Sequence, residues 1–228
     1  MSRSAARAIA AVLLVGAVFA LQGCAKQASS AEEAAAQQAA DAQSTAGGEP
    51  MHVSTTKVGK APIVVIKTSK GDITAELYPA DAPNSVASFV ELADSGFYDG
   101  IKFHRVEAGF VIQVGDPQTK VLSAQEIIDI VTRQKANQVA PEDPTLGTGN
   151  PGWRMKAEFN PRKHVDGTLA MARATDPDSA GSQFYICLGP QPSLDNQYTV
   201  FGQVIKGLDV VHNIAVGDVI TSITVQDQ

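Results

Sequence analysis

The sequence predicts a mainly β fold: an eight-stranded antiparallel barrel, closed on itself, with two peripheral helices and one inserted helix. Three observations carry this. Short runs rich in Val, Ile, Thr and aromatic residues succeed one another from residue 63 to residue 226, bounded by turn-forming residues. Two short helical stretches accompany the series, one after residue 82 and one after residue 207. Twelve of the thirteen aromatic residues fall between Tyr78 and Phe201, so one region builds the core. Closure removes the exposed edges of such a sheet. Eight strands leave an interior that side chains alone fill, which puts a ligand site on the outer wall.

Taken in order, Ile63–Lys67 and Ile73–Leu77 flank Ser69-Lys70-Gly71-Asp72 and read as a hairpin. Pro83 suits the first turn of a helix. Val86, Phe89, Val90 and Ala93 follow at the spacing of one buried helical face, and Gly96 and Gly100 bracket the exit. Further strands are expected at 102–106, 111–115, 168–172, 183–188, 200–204 and 220–226, with a short helix at 208–214. Residues 118–142 break the rhythm as an insertion. Ser123-Ala124-Gln125-Glu126 is a capping box, and Leu122 can staple onto Ile127. Ala124, Ile127, Ile128 and Val131 form the apolar stripe expected to pack on the barrel's outer wall.

The chain has 228 residues, with 18 Lys and Arg against 24 Asp and Glu, a formal charge of −6. That balance lacks the basic face of a nucleic-acid binder, and no nucleic-acid partner is expected. Residues 25–50 hold ten alanines and no Val, Ile, Leu or aromatic residue, too little apolar surface to offset chain entropy. Ahead of them, Arg3 and Arg7 precede an apolar run of fourteen residues, Ala8 to Leu21, shorter than a bilayer span and suited to a signal h-region. Leu21-Gln22-Gly23-Cys24 resembles a bacterial lipobox, in which the peptide is cut before the cysteine and the cysteine carries the lipid. The expected organisation is a lipoprotein signal peptide at 1–23, a lipid-anchored disordered linker at 24–57 and a folded domain at 58–228. Loss of Arg3 and Arg7 leaves 16 basic against 24 acidic residues, so the lipid on Cys24, not surface charge, must hold the membrane. Ala25 is not the aspartate tied to inner-membrane retention, and the outer membrane is favoured. Cys187 sits in an apolar run and is expected to be an inert buried thiol. Nothing suggests a coiled coil, and a monomer is expected.

Several chemistries are set aside. Gly147-Thr148-Gly149-Asn150-Pro151-Gly152 spells a dinucleotide fingerprint, but Pro144 and Pro151 deny it the strand before and helix after that the motif requires. Ser54-Thr55-Thr56-Lys57 has no partner motifs, and Ser182 is not in a nucleophile elbow. The histidines at 52, 104, 164 and 212 show no ligand spacing, and neither metal nor cofactor is expected. His104 reads as structural. Residues 103–117, FHRVEAGFVIQVGDP, stand apart: a turn at 107–109 lets Arg105, Phe110 and Gln113 share an outer face. A permanent cation, a neutral amide and an apolar floor then lie side by side.

This stretch resembles the cyclophilin-type peptidyl-prolyl cis-trans isomerases, together with GTGNPGW at 147–153, GTLAMARA at 167–174, AGSQFYI at 180–186 and SLDNQYTVFGQV at 193–204. The resemblance covers residues 62–215. It implies the cyclophilin-like barrel and isomerisation of X-Pro bonds in proline-containing polypeptide substrates. By position it assigns Arg105 as the catalytic arginine and places Gln113 and Phe110 with it in the catalytic group, Phe110 also lining the proline pocket. Val111, Tyr185, Leu194 and Tyr198 line the proline pocket, with Gln183 at its rim. Ala172, Arg173 and Ala174 form the wall that pairs with substrate backbone, and Gly147 borders the groove for residues preceding proline. Val111 stands where the best-known members have methionine, Tyr185 for phenylalanine, Arg173 for asparagine, Tyr198 for histidine and Ser193 for tryptophan. The lost aromatic at 193 implies weak cyclosporin binding. The insertion enters the loop leading to Gly147 and is expected to narrow or extend that groove. The expected enzyme is an exported, lipid-anchored foldase. The alternative is a non-catalytic proline-peptide chaperone or scaffold that keeps the pocket without the rate.

Overall fold

The computed structural model describes residues 48–226. The expected signal segment, Cys24 and residues 25–47 of the expected linker lie outside them. The hairpin forms as expected: β1 (Ile63–Thr68) and β2 (Gly71–Leu77) pair from Ile63–Glu76 to Thr68–Gly71 around a two-residue turn. Helix α1 (Pro83–Asp94) lacks a side-chain cap from Ala82, and the Glu158 carboxylate takes over. It accepts the backbone N–H groups of Asn84 (2.9 Å) and Ser85 (2.8 Å), donors a helix start otherwise leaves unpaired.

The remaining elements are β3 (Arg105–Glu107), β4 (Val111–Val114), α2 (Ala124–Lys135), β5 (Thr168–Met171), β6 (Phe184–Cys187), β7 (Val200–Lys206), α3 (Leu208–His212) and β8 (Ile220–Gln226). The strands form one antiparallel sheet in the order β3-β4-β6-β5-β7-β2-β1-β8. Its curl places the inner faces around a core in which Phe89 of α1 lies 5.3 Å from Tyr98, 5.4 Å from Phe184 and 5.2 Å from Phe201. Truncating a buried phenylalanine of this kind costs about 3–5 kcal/mol.

The expected closure does not occur. β3 and β8 are free of each other as strands, and the sheet is an open, curled half-barrel. In place of the strand expected at 102–106, β3 covers Arg105–Glu107, and the Lys102 backbone N–H goes to Thr119 Oγ1 (3.0 Å) instead of a strand partner. The stretch before β3 meets the loop before β8 through one bridge, Lys102 with Val219, where the Phe103 N–H donates to the Asp218 carbonyl at 2.8 Å. The two edges touch without laddering.

The insertion helix α2 has its capping box: Ser123 Oγ accepts from the Glu126 N–H (3.2 Å), and Glu126 Oε2 accepts from the Ser123 N–H (2.7 Å). Its buried face differs from the expected stripe. Ile127 and Ile130 are buried with Leu146, joined by Leu122, Val131 and Val216, while Ala124 and Ile128 are exposed. The helix therefore packs on its own return loop and on the turn before β8. Arg133 ties the two limbs of the insertion together with a bidentate pair to Asp143, both contacts 2.7 Å.

A second difference lies within the segment expected to be a flexible linker. Residues 49–54 are docked on the domain. The Arg154 N–H donates to the Pro50 carbonyl (3.0 Å), and the His52 N–H to the Arg154 carbonyl (2.7 Å). The His52 ring stacks on Trp153 at 4.1 Å, and Ser54 Oγ donates to Glu91 (2.6 Å). Backbone pairing and ring stacking hold this arm, and neither leaves a periodic apolar trace in the sequence.

Candidate active site

β4 and β6 are buried on both faces. Their inward residues, Ile112, Val114, Phe184 and Ile186, join the main core. Their outward residues, Val111, Tyr185 and Cys187, join a separate cluster with Ala170, Ala172, Leu194, Tyr198 and Val200, against which Phe110 and Tyr78 pack. These outward residues are themselves buried, so they form a second small core over the outer face of the sheet, with Phe110 and Tyr78 half-buried at its margin.

The polar half of the site follows from strand register. β3 and β4 place Arg105 directly opposite Gln113, where cross-strand side chains meet. Arg105 Nη1 donates to Gln113 Oε1 at 3.3 Å, and its side chain is 13 % exposed. Gln113 Nε2 donates to Gln183 Oε1 (2.9 Å), and Gln183 Nε2 donates to the carbonyls of Gly147 (2.8 Å) and Gly149 (2.7 Å). One hydrogen-bonded line thus runs from the guanidinium to the glycine loop. Beyond it, buried Asp116 accepts the N–H groups of Gln118 (2.8 Å), Gly147 (2.7 Å) and Gly149 (3.3 Å). Gly149 is required there: a Cβ would lie 2.0 Å from Asp116 Oδ1.

The apolar half meets the polar half at Arg105, whose Cζ lies 5.7 Å from the centre of the Phe110 ring. Tyr198 stands edge-on to Tyr185 at 5.7 Å, and Leu194 closes the side from the Pro192–Leu194 turn. Arg173 arches over Tyr198, its Cζ 4.6 Å from the ring centre, and donates to the Gln197 carbonyl through Nε (3.1 Å) and Nη2 (3.0 Å). The Ala172 N–H is taken by the Gln183 carbonyl (3.0 Å) and the Ala174 N–H by Ser179 Oγ (2.7 Å), which ties this wall to the molecule.

The structure brings all the sequence-expected domain residues to one face, in two groups. Arg105, Gln113, Gly147, Ala172, Arg173, Ala174 and Gln183 line an open cleft, and Phe110, Val111, Tyr185, Leu194 and Tyr198 make the adjoining apolar cluster. Cleft residues the sequence reading missed come from outside the sheet: Glu49 from the docked arm, and Gln134 and Lys135 from α2. Lys135 Nζ lies 2.8 Å from Glu107 Oε1. His104, behind Arg105, is fully buried, and burial lowers its pKa despite the opposing pull of Asp116. Cys187 is buried and its thiol is pushed up to about 12 by burial, an inert group as expected.

The sequence profile of the family described as cyclophilin type peptidyl-prolyl cis-trans isomerase matches residues 63–227. A peptidyl-prolyl cis-trans isomerase of Helicobacter pylori is 39 % identical over 175 residues, covering 75 % of this chain and 91 % of its own. Peptidyl-prolyl cis-trans isomerase B of Bacillus subtilis is 41 % identical over 156 residues, covering 68 % and 90 %. Among solved structures, a cyclophilin-type isomerase of Cryptosporidium parvum aligns with a TM-score of 0.58 at 26 % identity, over 74 % of this chain and 99 % of its own. This chain belongs to the cyclophilin-type peptidyl-prolyl cis-trans isomerase family, and its reaction is the rotation of X-Pro peptide bonds.

Proposed function

We propose that Arg105 is the catalytic group and that the Phe110, Val111, Tyr185, Leu194 and Tyr198 cluster seats the prolyl ring. Rotation about a peptide C–N bond is opposed by about 18–20 kcal/mol because the nitrogen lone pair is delocalised into the carbonyl. For X-Pro both isomers are populated and exchange over tens to hundreds of seconds, so a catalyst has work to do in either direction. In the twisted transition state the lone pair returns to the prolyl nitrogen. A donor aimed there binds the transition state better than either ground state, which is the condition for catalysis. A guanidinium remains charged and offers planar directional donors. Gln113 holds Arg105 at the edge of the apolar patch, and Gln183 holds Gln113.

The observation that carries this reading is the Arg105–Gln113 cross-strand pair facing Phe110. Support comes also from the Cryptosporidium parvum relative, whose structure was determined in the presence of the dipeptide Ala-Pro (TM-score 0.58, 27 % identity). By analogy with other transition-state donors, Arg105→Ala should lower kcat/KM about 10²–10³-fold in a protease-coupled X-Pro assay. Equal rates would leave a proline-peptide receptor in place of an enzyme.

The lipobox-like residues 21–24 support a second part of the proposal: a lipoprotein anchored through Cys24, acting on exported proteins outside the cytoplasm. Cys24→Ala should move the protein from membrane to soluble fractions. Unchanged fractionation would remove the anchor.

A further inference from the structure

Behind the floor of the apolar pocket lies a buried polar line that rotation of the peptide bond does not use. Tyr185 keeps its ring in the pocket cluster but directs its hydroxyl to Nε2 of His164, 3.0 Å away. The His164 side chain is 0 % exposed. Its Nδ1 lies 3.1 Å from Asp195 Oδ1, and that oxygen also accepts the His164 backbone N–H at 2.9 Å. Lys163 Nζ stands 3.1 Å from the other oxygen of Asp195.

The proton positions in this line follow from donor counting. The His164 N–H, foremost, holds the Asp195 carboxyl down at about 2, so it is ionised and only accepts. Nδ1 therefore carries the hydrogen. Burial keeps the ring neutral, lowering its pKa despite Asp195, so Nε2 has a lone pair and accepts a hydrogen bond from the Tyr185 hydroxyl. Each group has one role, and both ring nitrogens are satisfied.

The line joins two parts of the pocket. Tyr185 is the floor, on β6, whereas Asp195 directly follows Leu194 on the rim turn. The Gln191 N–H donates to the His164 carbonyl at 2.8 Å, and the Tyr198 ring stands edge-on to His164 at 6.5 Å. We propose that His164 is a positioning residue for the isomerase reaction: by holding Tyr185 and Asp195 in one line it fixes the floor of the proline pocket against its rim. The proposal rests on reading that cluster as the seat of the prolyl ring.

Protonation of Nε2 reverses the link between His164 and Tyr185. Nε2–H then donates to the Tyr185 oxygen, and the phenol hydrogen must leave for a lining that includes Val111, Leu194 and Phe110. Lys163 and Asp195 are the charged groups facing His164, and Arg173 and Arg105 are the cations acting on Tyr185.

The test measures kcat and KM of the full-length protein on one X-Pro peptide from pH 5 to 8, with far-UV circular dichroism confirming the fold at each pH. For the wild type we expect kcat/KM to be level near pH 8 and to fall with a one-proton slope on acidification below the usual imidazole range. His164→Gln should raise KM several-fold at pH 7.5 with kcat retained, and should flatten the acid limb. Tyr185→Phe keeps the ring, cuts the link, and carries the test if His164→Gln fails to fold; it too should flatten the limb. The double variant should be no worse than the poorer single one. A wild-type acid limb in either folded variant, or additive effects in the double variant, overturns the proposal. Arg105→Ala serves as the separate control: if it equals the wild type, the underlying reading of the site fails instead.

Discussion

Two halves of one groove are built by different means. Arg105, Gln113, Val111 and Tyr185 stand on β3, β4 and β6, where antiparallel register fixes each side chain against its neighbour. Gly147, Gly149, Glu49, Gln134 and Lys135 come from a glycine loop, the docked arm and the inserted helix. No ladder holds that second half. Buried Asp116 and the Gln183 amide hold the loop by its backbone. Under the proposed function, the group assigned to the reaction lies on the strand-built half, and the loop-built half is where the rest of a peptide would lie.

After Arg105→Ala, the sharpest way to break this contrast is Asp116→Ala. It leaves the N–H groups of Gln118, Gly147 and Gly149 without their acceptor, each worth about 1–3 kcal/mol if nothing replaces it. We expect roughly 3 kcal/mol of lost stability in urea unfolding and a raised KM with kcat less affected. Asp116→Asn keeps a carbonyl oxygen and should lose less. A kcat loss as large as that of Arg105→Ala would show that the loop half takes part in the reaction itself, and the contrast would fall.

The same division explains what could be read from the sequence. Arg105, Phe110 and Gln113 were legible because alternation along a strand and a short turn fix their common face. Asp116 was not, because its partners lie 2, 31 and 33 residues away and leave no local pattern. The buried face of α2 was misread for a similar reason. Apolar residues at 127, 128, 130 and 131 surround more than one side of the helix, and only Leu146 on the return loop selects Ile127 and Ile130. The open edge was not legible either: the Lys102 N–H goes to Thr119 Oγ1, seventeen residues on, a partner that strand propensity does not encode. The line from Tyr185 to Asp195 needed three separated residues to be placed together before any one of them had a partner.

Acid stability offers a further probe of the rigid half. His164 has a lowered pKa in the fold, so the unfolded chain binds the extra proton first and stability falls as pH drops below about 6.5. Asp195, held at about 2 against an ordinary 3.8, contributes stability above 3.8 that is lost as pH falls through its folded value. Thermal unfolding should therefore show two acid windows, the upper reduced in His164→Gln and the lower in Asp195→Asn. A pH response left unchanged by both variants would detach this line from the stability of the pocket.

On the adaptable half, Lys135→Ala removes the nearer of the two cations on Glu107 Oε1, leaving Arg105 Nε at 4.0 Å. Exposed pairs contribute about 0.2–1 kcal/mol, so the ratio of kcat/KM between peptides differing before the proline should change no more than about five-fold. Replacing residues 118–142 by a short link should change it further. A panel showing no change in either variant would make the insertion irrelevant to substrate choice.

The smallest effect expected is also the one that tells local loosening from global unfolding. Cys187 lies on β6 beside Tyr185, fully buried, with its thiol raised to about 12. In a Cys24→Ser background it is the one remaining thiol of the chain. Its labelling by a thiol reagent should be negligible in the native protein and should follow opening of the sheet. If the two halves are independent, loosening the glycine loop should leave β6 covered. At denaturant concentrations chosen to equalise global stability, Asp116→Ala should therefore label at the wild-type rate even though its KM has risen. Faster labelling under those matched conditions would mean that the two halves open together, and that the sheet depends on the loop it holds.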